Sequence, residues 1–418
     1  MRPVALRTKS LAEYAAVVGE RAIEESRELA KGLRGARVLH INATSYGGGV
    51  AEILHNLVPL MDDVGLETMW YVLDAEDSAF FDVTKRIHNA LQGMPLDLSD
   101  EQRELFLRTD RVNAAELPEA DFVVAHDPQA AALLHFAEGH RGRWAWRCHI
   151  DLTDAYRPVW SFLRPYVAEH HAAIFTMPQF AQPDLEMDRV VFSAPSIDPF
   201  SEKNVPLPPD VARTILHAYG VDDERPLLTQ VSRFDPWKDP SGVIDAYRIV
   251  KAEIPEVQLA MIGSLADDDP EGKDYLARTV AHAGGDPDIH CLTNLDGVKD
   301  REVNAFQRAS TVVIQKSLRE GFGLVVAEAL WKGIPVVGGA VGGIPLQIVH
   351  GRTGFLVDSV EDCAEHCLEL LRDAALRSRM GAAGREHVRE SFLITRDLRD
   401  HLRLFADLRA DVGSVAAT

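Results

Sequence analysis

The sequence has no uninterrupted apolar run of the length that a membrane-spanning helix requires, and it holds only four cysteines among 418 residues. A spanning helix takes about 20 consecutive, mainly apolar residues, so none is expected. The N-terminal residues become charged too soon for a secretory signal. The cysteines form no paired CxxC motif, which argues against zinc or a disulfide framework: they are Cys148, Cys291, Cys363 and Cys367. We therefore expect a cytoplasmic protein with free thiols.

Basic residues are also scarce, with 44 lysines and arginines against 64 aspartates and glutamates and a net charge of −20. Such a field repels phosphate backbones, so neither a nucleic acid nor an anionic membrane is expected as a partner. A local basic pocket for one small anion stays possible. The hydrophobic content of 46% is that of a globular chain, and the length predicts two domains.

Short apolar runs alternate with helix-period stretches in two series, which predicts an α/β fold with two Rossmann-like, doubly wound parallel sheets. The expected strands are 37–43, 68–73, 122–126, 144–150, 172–177 and 190–192, then 227–231, 258–262, 289–292, 311–314, 335–337 and 354–357. Residues 195–209 contain five prolines and predict a linker between domains 1–195 and 210–393. Residues 394–418 predict a C-terminal helix that packs on its own domain or crosses back to the first. Ligands are expected at the carboxyl ends of the strands, in a cleft between the facing domains.

Three consecutive glycines, Gly47, Gly48 and Gly49, lie between the first strand and its helix. Glycines let backbone N–H groups approach an anion at a helix N-terminus. A dinucleotide fingerprint fails on spacing, because Glu52 stands where the third glycine is required. The loop therefore favours contact with a phosphate or a sugar, and a simple tight turn is the alternative.

Two cations, Arg233 and Lys238, lie on the loop after the first strand of the second domain. In an acidic chain they provide a local positive site suited to a diphosphate, and an arginine can hold two oxygens at once. The alternative is that both cations form surface salt bridges with nearby acids.

A third motif follows the fourth strand of the second domain, where Glu320 and Glu328 are eight residues apart around the start of a helix. Gly321 and Gly323 leave backbone N–H groups available there. Glu328 lies in an apolar stretch, LVVAEAL, where a carboxylate needs a partner. The motif therefore predicts a ligand-binding helix start rather than a solvated helix face.

This combination of Arg233, Lys238 and the E-x7-E pair resembles the donor site of retaining GT-B nucleotide-sugar glycosyltransferases of family four, over about residues 37–391. A narrower likeness is carried by HINATSYGGGVAEILHNLVPLM, WRCHIDLT, VSRFDPWKDP and EGFGLVVAEALWKG, which look like the trehalose glycosyltransferring synthases. That family makes α,α-trehalose and a nucleoside diphosphate from a nucleoside diphosphate glucose and free glucose. The resemblance implies a GT-B fold and this activity, with UDP-glucose and ADP-glucose both open as donors.

The resemblance also assigns roles to individual residues. Arg233 and Lys238 would hold the diphosphate and neutralise the leaving group. Glu320 would bind the donor hexose hydroxyls, together with backbone N–H groups of Gly321, Phe322 and Gly323. The roles of the remaining residues follow in the same way: Glu328 would bind the ribose, the loop of Gly47, Gly48 and Gly49 would reach the diphosphate and sugar, and His149, expected at a strand end, would lie near the sugar 6-hydroxyl.

Placement alone suggests an acceptor pocket, because His126 and Asp127 end a predicted strand and Asp151 follows the next one. We expect Asp127 and Asp151 to line a site for the acceptor glucose. A helix cap formed by Asp127 ahead of Pro128 is the alternative.

No metal or other cofactor is expected to be required. The E-x7-E type of site that the sequence resembles needs no metal, and the acidic run Asp267, Asp268 and Asp269 is interpreted as a solvated loop. Added Mg²⁺ is expected at most to stimulate by screening the free diphosphate. A homodimer is expected on general grounds.

Three other functions stay open at this point. The first is a retaining trehalose phosphorylase, which shares the glycine loop and the E-x7-E pair. The second is a transferase with another acceptor; a phosphorylated acceptor would need a basic cluster, for which Arg141, Arg143 and Arg147 are candidates. The third is a sugar-binding protein without turnover.

Overall fold

The computed structural model describes residues 1–46, 48–265 and 270–415, and the chain divides into two compact units. The first unit comprises Met1–Ser196 together with Ile394–Thr418, and the second is Ile197–Leu393. Gly47 and the acidic run at 267–269 lie outside the described residues. No helix in the described part of the chain has the length and apolar character needed to cross a membrane.

The first unit is a sheet with helices on its faces. Its strands are β1 Arg2–Pro3, β2 Arg37–Asn42, β3 Glu67–Val72, β4 Phe122–His126, β5 Arg143–Arg147, β6 Ala172–Phe175 and β7 Val190–Phe192. The helices in its first segment, residues 1–196, are α1 Ala15–Val18, α2 Glu20–Ala30, α3 Gly49–Asp63, α4 Ala79–Leu91, α5 Asp100–Ala114, α6 Leu133–Phe136 and α7 Arg157–Ala168. The sheet order is β1-β3-β2-β4-β5-β6-β7, parallel except for the antiparallel β1 at one edge.

Three details of this sheet differ from the sequence prediction, the smallest being that β6 ends at Phe175 rather than at residue 177. The edge strand β1 carries too little apolar pattern to be predicted, and it pairs with β3 through Arg2 and Pro3. The strand predicted at 144–150 is instead β5, which ends at Arg147. It ends there because the N–H of His149 turns away from the ladder and donates to Asp127 Oδ1 at 2.8 Å.

The second unit repeats the architecture. Its strands are β8 Leu227–Val231, β9 Gln258–Gly263, β10 Ile289–Thr293, β11 Val312–Gln315, β12 Val336–Gly339 and β13 Gly354–Val357. Its helices are α8 Pro209–Ala218, α9 Pro240–Glu253, α10 Pro270–Ala283, α11 Asp300–Ala309, α12 Leu324–Trp331, α13 Ile344–Gln347, α14 Val360–Arg372 and α15 Ala374–Ser391. The order is β10-β9-β8-β11-β12-β13 and every pairing is parallel. Each predicted strand of this series is present, shifted by about a residue at its ends, as expected for hydrogen-bonded boundaries.

Most of the proline-containing segment 195–209 belongs to the second unit. The N–H of Ile197 donates to the carbonyl of Phe392 at 2.8 Å, and Asn304 Nδ2 donates to the carbonyl of Val205 at 2.9 Å. The segment is thus fixed by backbone hydrogen bonds rather than left as a free tether.

The last helix, α16 Ile394–Val415, belongs to the first unit. Its apolar side packs against α2 and α3, and Leu398, Leu402 and Phe405 are buried in the core there. The rings of Phe405 and Phe122 stack with centroids 4.8 Å apart. Because α16 follows the second unit in the chain, the first unit is completed only by the C-terminal segment.

Candidate functional site

In the second unit, the loops that follow β8 and β11 lie side by side. These strands are adjacent and parallel, with Val312 beside Leu228, and the strand order reverses between them. Doubly wound sheets bind ligands at such a switch point, outside the carboxyl ends of the strands. Arg233 and Lys238 lie on the first loop and Glu320 on the second, so the fold brings these predicted residues to one edge.

Lys238 and Glu320 form an ion pair, with 2.6 Å between Nζ and Oε2. The same carboxylate oxygen accepts hydrogen bonds from Ser317 Oγ at 3.2 Å and Gln315 Nε2 at 3.4 Å. The two charged side chains are only 15% and 9% exposed, so the pair is largely shielded from water. Its shielding strengthens the electrostatic interaction and holds the carboxylate in one orientation.

Arg233 is placed differently from Lys238. Its guanidinium lies 3.2 Å from Asp235 Oδ2, and 63% of its side chain is exposed. The other oxygen of Asp235 accepts from the N–H groups of Trp237 and Lys238 at 2.9 and 3.2 Å, capping the short helical turn that carries Lys238. Arg233 therefore forms a surface salt bridge of the kind considered from sequence, whereas Lys238 pairs in a shielded position with the predicted sugar-binding Glu320.

A second ion pair joins the same loops, with the lysine and the carboxylate on the opposite loops from those of the first pair. Lys316 on the loop after β11 pairs with Asp239 on the loop after β8. Asp239 has a left-handed backbone with φ 48°, and its Oδ1 accepts from the N–H of Gly242 at 3.1 Å to cap α9. Sequence reasoning missed Lys316 and Asp239. The available signal was a lysine directly after a buried strand, a position at which a charge needs a partner.

The loop holding Glu320 is pressed against the glycine-rich loop after β12. A side chain at Gly342, whose φ is 54°, would place its Cβ 1.6 Å from the carbonyl oxygen of Glu320. Only glycine fits there, because the backbone conformation and the contact both exclude a Cβ. This contact between Gly342 and the loop of Glu320 was also missed from sequence, although the run GGAVGG indicates close approach of the backbone.

The helix start after Glu320 has the geometry of an anion or hydroxyl site. Gly323 is left-handed with φ 78° and precedes the first residue of α12. Backbone N–H groups of Gly321, Phe322 and Gly323 donate to no residue in the described ranges. The ring of Phe322 is buried and packs on Phe392, so Phe322 offers its backbone rather than its side chain.

Glu328 lies inside α12 and is 1% exposed. Its carboxylate has two partners: Gln307 Nε2 donates to Oε2 at 3.3 Å, and Lys203 Nζ lies 3.9 Å from Oε1. The partner required for a carboxylate in this apolar stretch is thus supplied by α11 and by the segment predicted as linker. Lys203 was not singled out from the sequence.

In the first unit, the glycine loop connects β2 to α3. Gly48 and Gly49 lie at the N-terminus of this 15-residue helix, and a Cβ at Gly48 would meet nothing within 4 Å. Before them, Thr44 Oγ1 accepts from the N–H of Tyr46 at 3.2 Å and closes a turn, and Tyr46 is 79% exposed. The loop is open at the carboxyl end of β2.

Asp127 and His149 are joined at the ends of β4 and β5. Asp127 has φ 60°, and its Oδ1 accepts from the backbone N–H of His149 at 2.8 Å. Its side chain forms no cap on the helical turn that begins at Pro128, so the capping alternative is wrong. Burial raises the pKa of Asp127 to about 6. His149 lies two residues beyond β5 rather than at its end, which corrects the predicted position.

The ring of His149 is hydrogen-bonded through Nε2 to Nδ1 of His126, 3.1 Å away. Asp151 is half-buried, and its Oδ1 accepts from the N–H of Thr153 at 2.9 Å. The fold therefore brings His126, Asp127 and His149 into direct contact, whereas Asp151 forms only a local turn.

Arg147 is unavailable to a ligand at this edge. It is 2% exposed, and its guanidinium donates to the carbonyl of Ser193 at 2.6 Å. Of the three arginines considered for a phosphorylated acceptor, only Arg141 and Arg143 retain surface exposure.

Two family descriptions match the chain. Residues 40–182 match "Trehalose synthase, N-terminal domain", and residues 212–387 match "Glycosyl transferases group 1". The chain is 52% identical over 406 residues to a trehalose synthase of Rubrobacter xylanophilus, covering 96% of this chain and 97% of that protein. It is 50% identical over 399 residues to a trehalose synthase of Thermococcus litoralis, covering 95% and 96%. A trehalose phosphorylase of Pleurotus pulmonarius is 27% identical over 90% of this chain and 58% of its own length.

Solved structures with low sequence identity share the fold. A sucrose-phosphate synthase from Thermosynechococcus elongatus has a TM-score of 0.71 at 16% identity, covering 90% of this chain and all of that one. An α,α-trehalose-phosphate synthase (UDP-forming) from Burkholderia xenovorans has a TM-score of 0.69 at 14% identity, covering 89% and 100%. The GT-B fold and the family resemblance predicted from sequence are thereby confirmed.

Proposed function

We propose that this chain, which belongs to the trehalose synthase family of group 1 glycosyl transferases, transfers an α-glucosyl unit from UDP-glucose or ADP-glucose to free glucose. The configuration at the anomeric carbon is retained, and the products are α,α-trehalose and the nucleoside diphosphate. The observation that carries the proposal is the shielded pair of Lys238 and Glu320 at the switch point of the second sheet. It joins a cation suited to a diphosphate with a carboxylate suited to hexose hydroxyls.

The donor is held by the second unit. Arg233 and Lys238 bind the diphosphate, Glu320 accepts hydrogen bonds from hexose hydroxyls, and the free N–H groups beside Gly321 face the same ligand. Glu328 binds the ribose hydroxyls. Because Glu328 is buried in the structure described, donor binding requires its carboxylate to become accessible.

The chemical step uses cations to stabilise the leaving group and uses the leaving phosphate, rather than a side chain, as the base. The bond from the anomeric carbon to the β-phosphate oxygen breaks, and its electron pair leaves with the diphosphate. The new bond forms from the acceptor 1-hydroxyl oxygen on the same face, and the hydroxyl proton passes to the departing phosphate. Lys238 and Arg233 stabilise the charge that develops on that phosphate. Retaining hydrolases instead use a carboxylate nucleophile about 5 Å from an acid, a pair that the sequence does not suggest here.

The acceptor is assigned to the first unit, with Asp127 and Asp151 lining its pocket and His149 beside the sugar. The loop of Gly48 and Gly49 approaches the sugar and diphosphate. Arg147 is buried and engaged, so it supplies no cation for an acceptor phosphate in this pocket.

Metal is assigned no catalytic role in this proposal. The two cations of the donor loop supply the positive charge that the leaving group needs, so Mg²⁺ would act on the released diphosphate only. Activity after treatment with a chelator tests this assignment.

Carbon-13 NMR on the purified protein tests the proposed reaction. Glucose is incubated in three parallel samples with UDP-glucose, ADP-glucose or α-glucose 1-phosphate. An α,α-1,1-linked product with release of nucleotide supports the proposal and identifies the donor. A product from glucose 1-phosphate alone identifies a phosphorylase and contradicts it.

A further inference from the structure

Three histidines form a hydrogen-bonded chain inside the first unit. Nε2 of His149 lies 3.1 Å from Nδ1 of His126, and Nε2 of His126 lies 3.0 Å from Nδ1 of His40. The ring planes differ by only 14° and 29°, with centroids 5.4 and 5.3 Å apart. The rings therefore meet edge to edge, with each nitrogen near the plane of its neighbour, as an N–H···N hydrogen bond requires. The three histidines lie on the loop after β5, at the end of β4 and within β2.

The two ends of the chain have different surroundings. At one end, His149 is half-buried, and its Nδ1 makes no hydrogen bond to the described residues. At the other end, Nε2 of His40 is fully buried and also lacks a partner in the described part of the chain. The ring of His401, on α16, is the neighbour there, with its centroid 5.9 Å from that of His40.

The hydrogen bonds couple the tautomers of the three rings. A neutral imidazole has one N–H and one lone pair, so each N···N contact needs a donor on one ring and an acceptor on the next. Only two orders satisfy both contacts. Either all three rings carry the proton on Nδ1, or all three carry it on Nε2. The first order makes Nδ1 of His149 a hydrogen-bond donor, and the second makes it an acceptor.

The surroundings keep the three rings neutral. Burial lowers the pKa of His40 to about 3, and the neighbouring charge of His401 adds to this effect. Burial and the adjacent histidines lower the pKa of His126, and burial and the cation of Arg147 lower that of His149.

One feature at the buried end favours the order with protons on Nδ1. This order leaves a lone pair on Nε2 of His40, whereas the other leaves a buried N–H without a partner, which is the rarer situation in proteins.

We propose that His126 and His40 are positioning residues that hold His149 as the Nδ1–H tautomer, so that Nδ1 donates a hydrogen bond to a hydroxyl oxygen of a bound hexose. The identity of the ligand as a hexose rests on the proposed function, whereas the tautomer of His149 does not depend on it.

The test is nitrogen-15 NMR of the protein labelled at histidine, which distinguishes the two ring nitrogens and hence the tautomer. The three resonances are assigned by comparison with single variants. We expect His149, His126 and His40 each to be neutral with the proton on Nδ1 at pH 7.5. A proton on Nε2 of His149, or a positively charged ring in the chain, overturns the proposal.

A variant series separates positioning from general packing. In His40→Leu, His126 loses its donor, so we expect His149 to populate both tautomers and kcat/KM to fall roughly 10-fold. His40→Asn can donate from its amide near the place of Nδ1 and should restore most of the Nδ1–H tautomer and of the activity. His170→Leu is the matched control: His170 is also buried in the first unit, but its Nδ1 bonds only helix carbonyls of Tyr166 and Val167.

The outcomes are distinct. If His40→Leu keeps the tautomer of His149 and full activity, or if His170→Leu changes both equally, the proposal is wrong. The NMR measurement on the wild-type protein decides the tautomer even if a variant fails to fold. It also needs no substrate, so Nδ1–H tautomers in a protein that makes no trehalose contradict only the proposed function.

Discussion

The amino group of Lys238 lies 2.6 Å from Oε2 of Glu320, so the cation proposed for the diphosphate rests on the carboxylate proposed for the hexose. Under the proposed function, donor binding would replace this carboxylate with a phosphate oxygen on Lys238, and sugar hydroxyls would replace the amino group on Glu320. The pair thus keeps two buried charges compensated in the free enzyme. Under the same proposal, it would couple recognition of the diphosphate to recognition of the sugar.

Replacing Lys238 by alanine is expected to lower kcat by about 10²–10³-fold, the scale of losing one preorganised charge contact in a transition state. Steady-state kinetics with saturating glucose and nucleotide sugar measure the change. Lys251→Ala is the matched control, because Lys251 is also a partly buried lysine paired with carboxylates, Asp286 and Asp288, at 2.8 Å each. Near-normal turnover in Lys238→Ala, or an equal loss in Lys251→Ala, would remove Lys238 from the mechanism.

Glu320→Gln is expected to separate nucleotide binding from catalysis. The change removes the charge that occupies Lys238, so the nucleoside diphosphate alone should bind about tenfold more tightly, which corresponds to about 1.4 kcal/mol. Turnover should fall, because the hexose loses its carboxylate acceptor. Calorimetric titration with the diphosphate and a kinetic assay report the two effects, and weaker diphosphate binding in the variant would argue against the exchange.

Gly342→Ala is expected to disturb the loop that carries Glu320. The new Cβ would fall 1.6 Å from the carbonyl oxygen of Glu320, so this loop must shift, and a displacement of about 1 Å costs up to about 10²-fold in rate. Gly351→Ala is the control, since Gly351 has a similar positive φ of 75° but nothing within 4 Å of the added Cβ. It should lose about 1–2 kcal/mol of stability, the cost of a left-handed backbone with a Cβ, and no activity. Equal activity in both variants would show that the close contact of Gly342 with the Glu320 loop has no role in turnover.

Much of the fold follows from sequence, because a buried parallel strand is an apolar run and the runs alternate with helical periods. The loops after β8 and β11 could likewise be located, since charged residues directly after such runs fall at the ligand edge of the sheet. The edge strand β1 could not, because two residues, Arg2 and Pro3, carry no pattern and pair only through tertiary contact. The early end of β5 was hidden for a related reason: the competing acceptor, Asp127, is remote in sequence.

The partners of the functional residues were less predictable than the residues themselves. Lys316, Asp239 and Gly342 act through contacts between loops that are far apart in the chain, and no local spacing encodes such contacts. His40 offered one signal, a polar residue inside the apolar strand VLHIN, where a partner is required. The sheet order is needed to identify His126 as the partner of His40. The packing of α16 is needed to place the ring of His401 beside His40.

The stability of the first unit is expected to fall with acid in a way that depends on His40. Its pKa is lowered from 6.5 to about 3 in the folded protein, so between these values the unfolded chain binds a proton that the folded chain does not. The free energy of unfolding therefore decreases as the pH falls, by about 1.4 kcal/mol per pH unit for this one group. His40→Asn should show a correspondingly shallower decrease between pH 6 and pH 5.

Unfolding followed by tryptophan fluorescence tests this expectation, since Trp70, Trp144, Trp146 and Trp160, four of the six tryptophans, belong to the first unit. Comparing the variant with the wild type cancels the contributions of other groups, including the raised pKa of Asp127, which acts in the opposite direction. Parallel pH profiles for the two proteins would mean that His40 titrates normally when folded.

Transfer to free glucose is measured with glucose labelled with carbon-13 at its anomeric carbon, together with unlabelled UDP-glucose or ADP-glucose. We expect each α,α-trehalose formed to carry one labelled anomeric carbon, and one nucleoside diphosphate to be released for each trehalose. Trehalose without label would contradict transfer from a nucleotide sugar to free glucose, and so would labelled trehalose that forms only when α-glucose 1-phosphate replaces the nucleotide sugar.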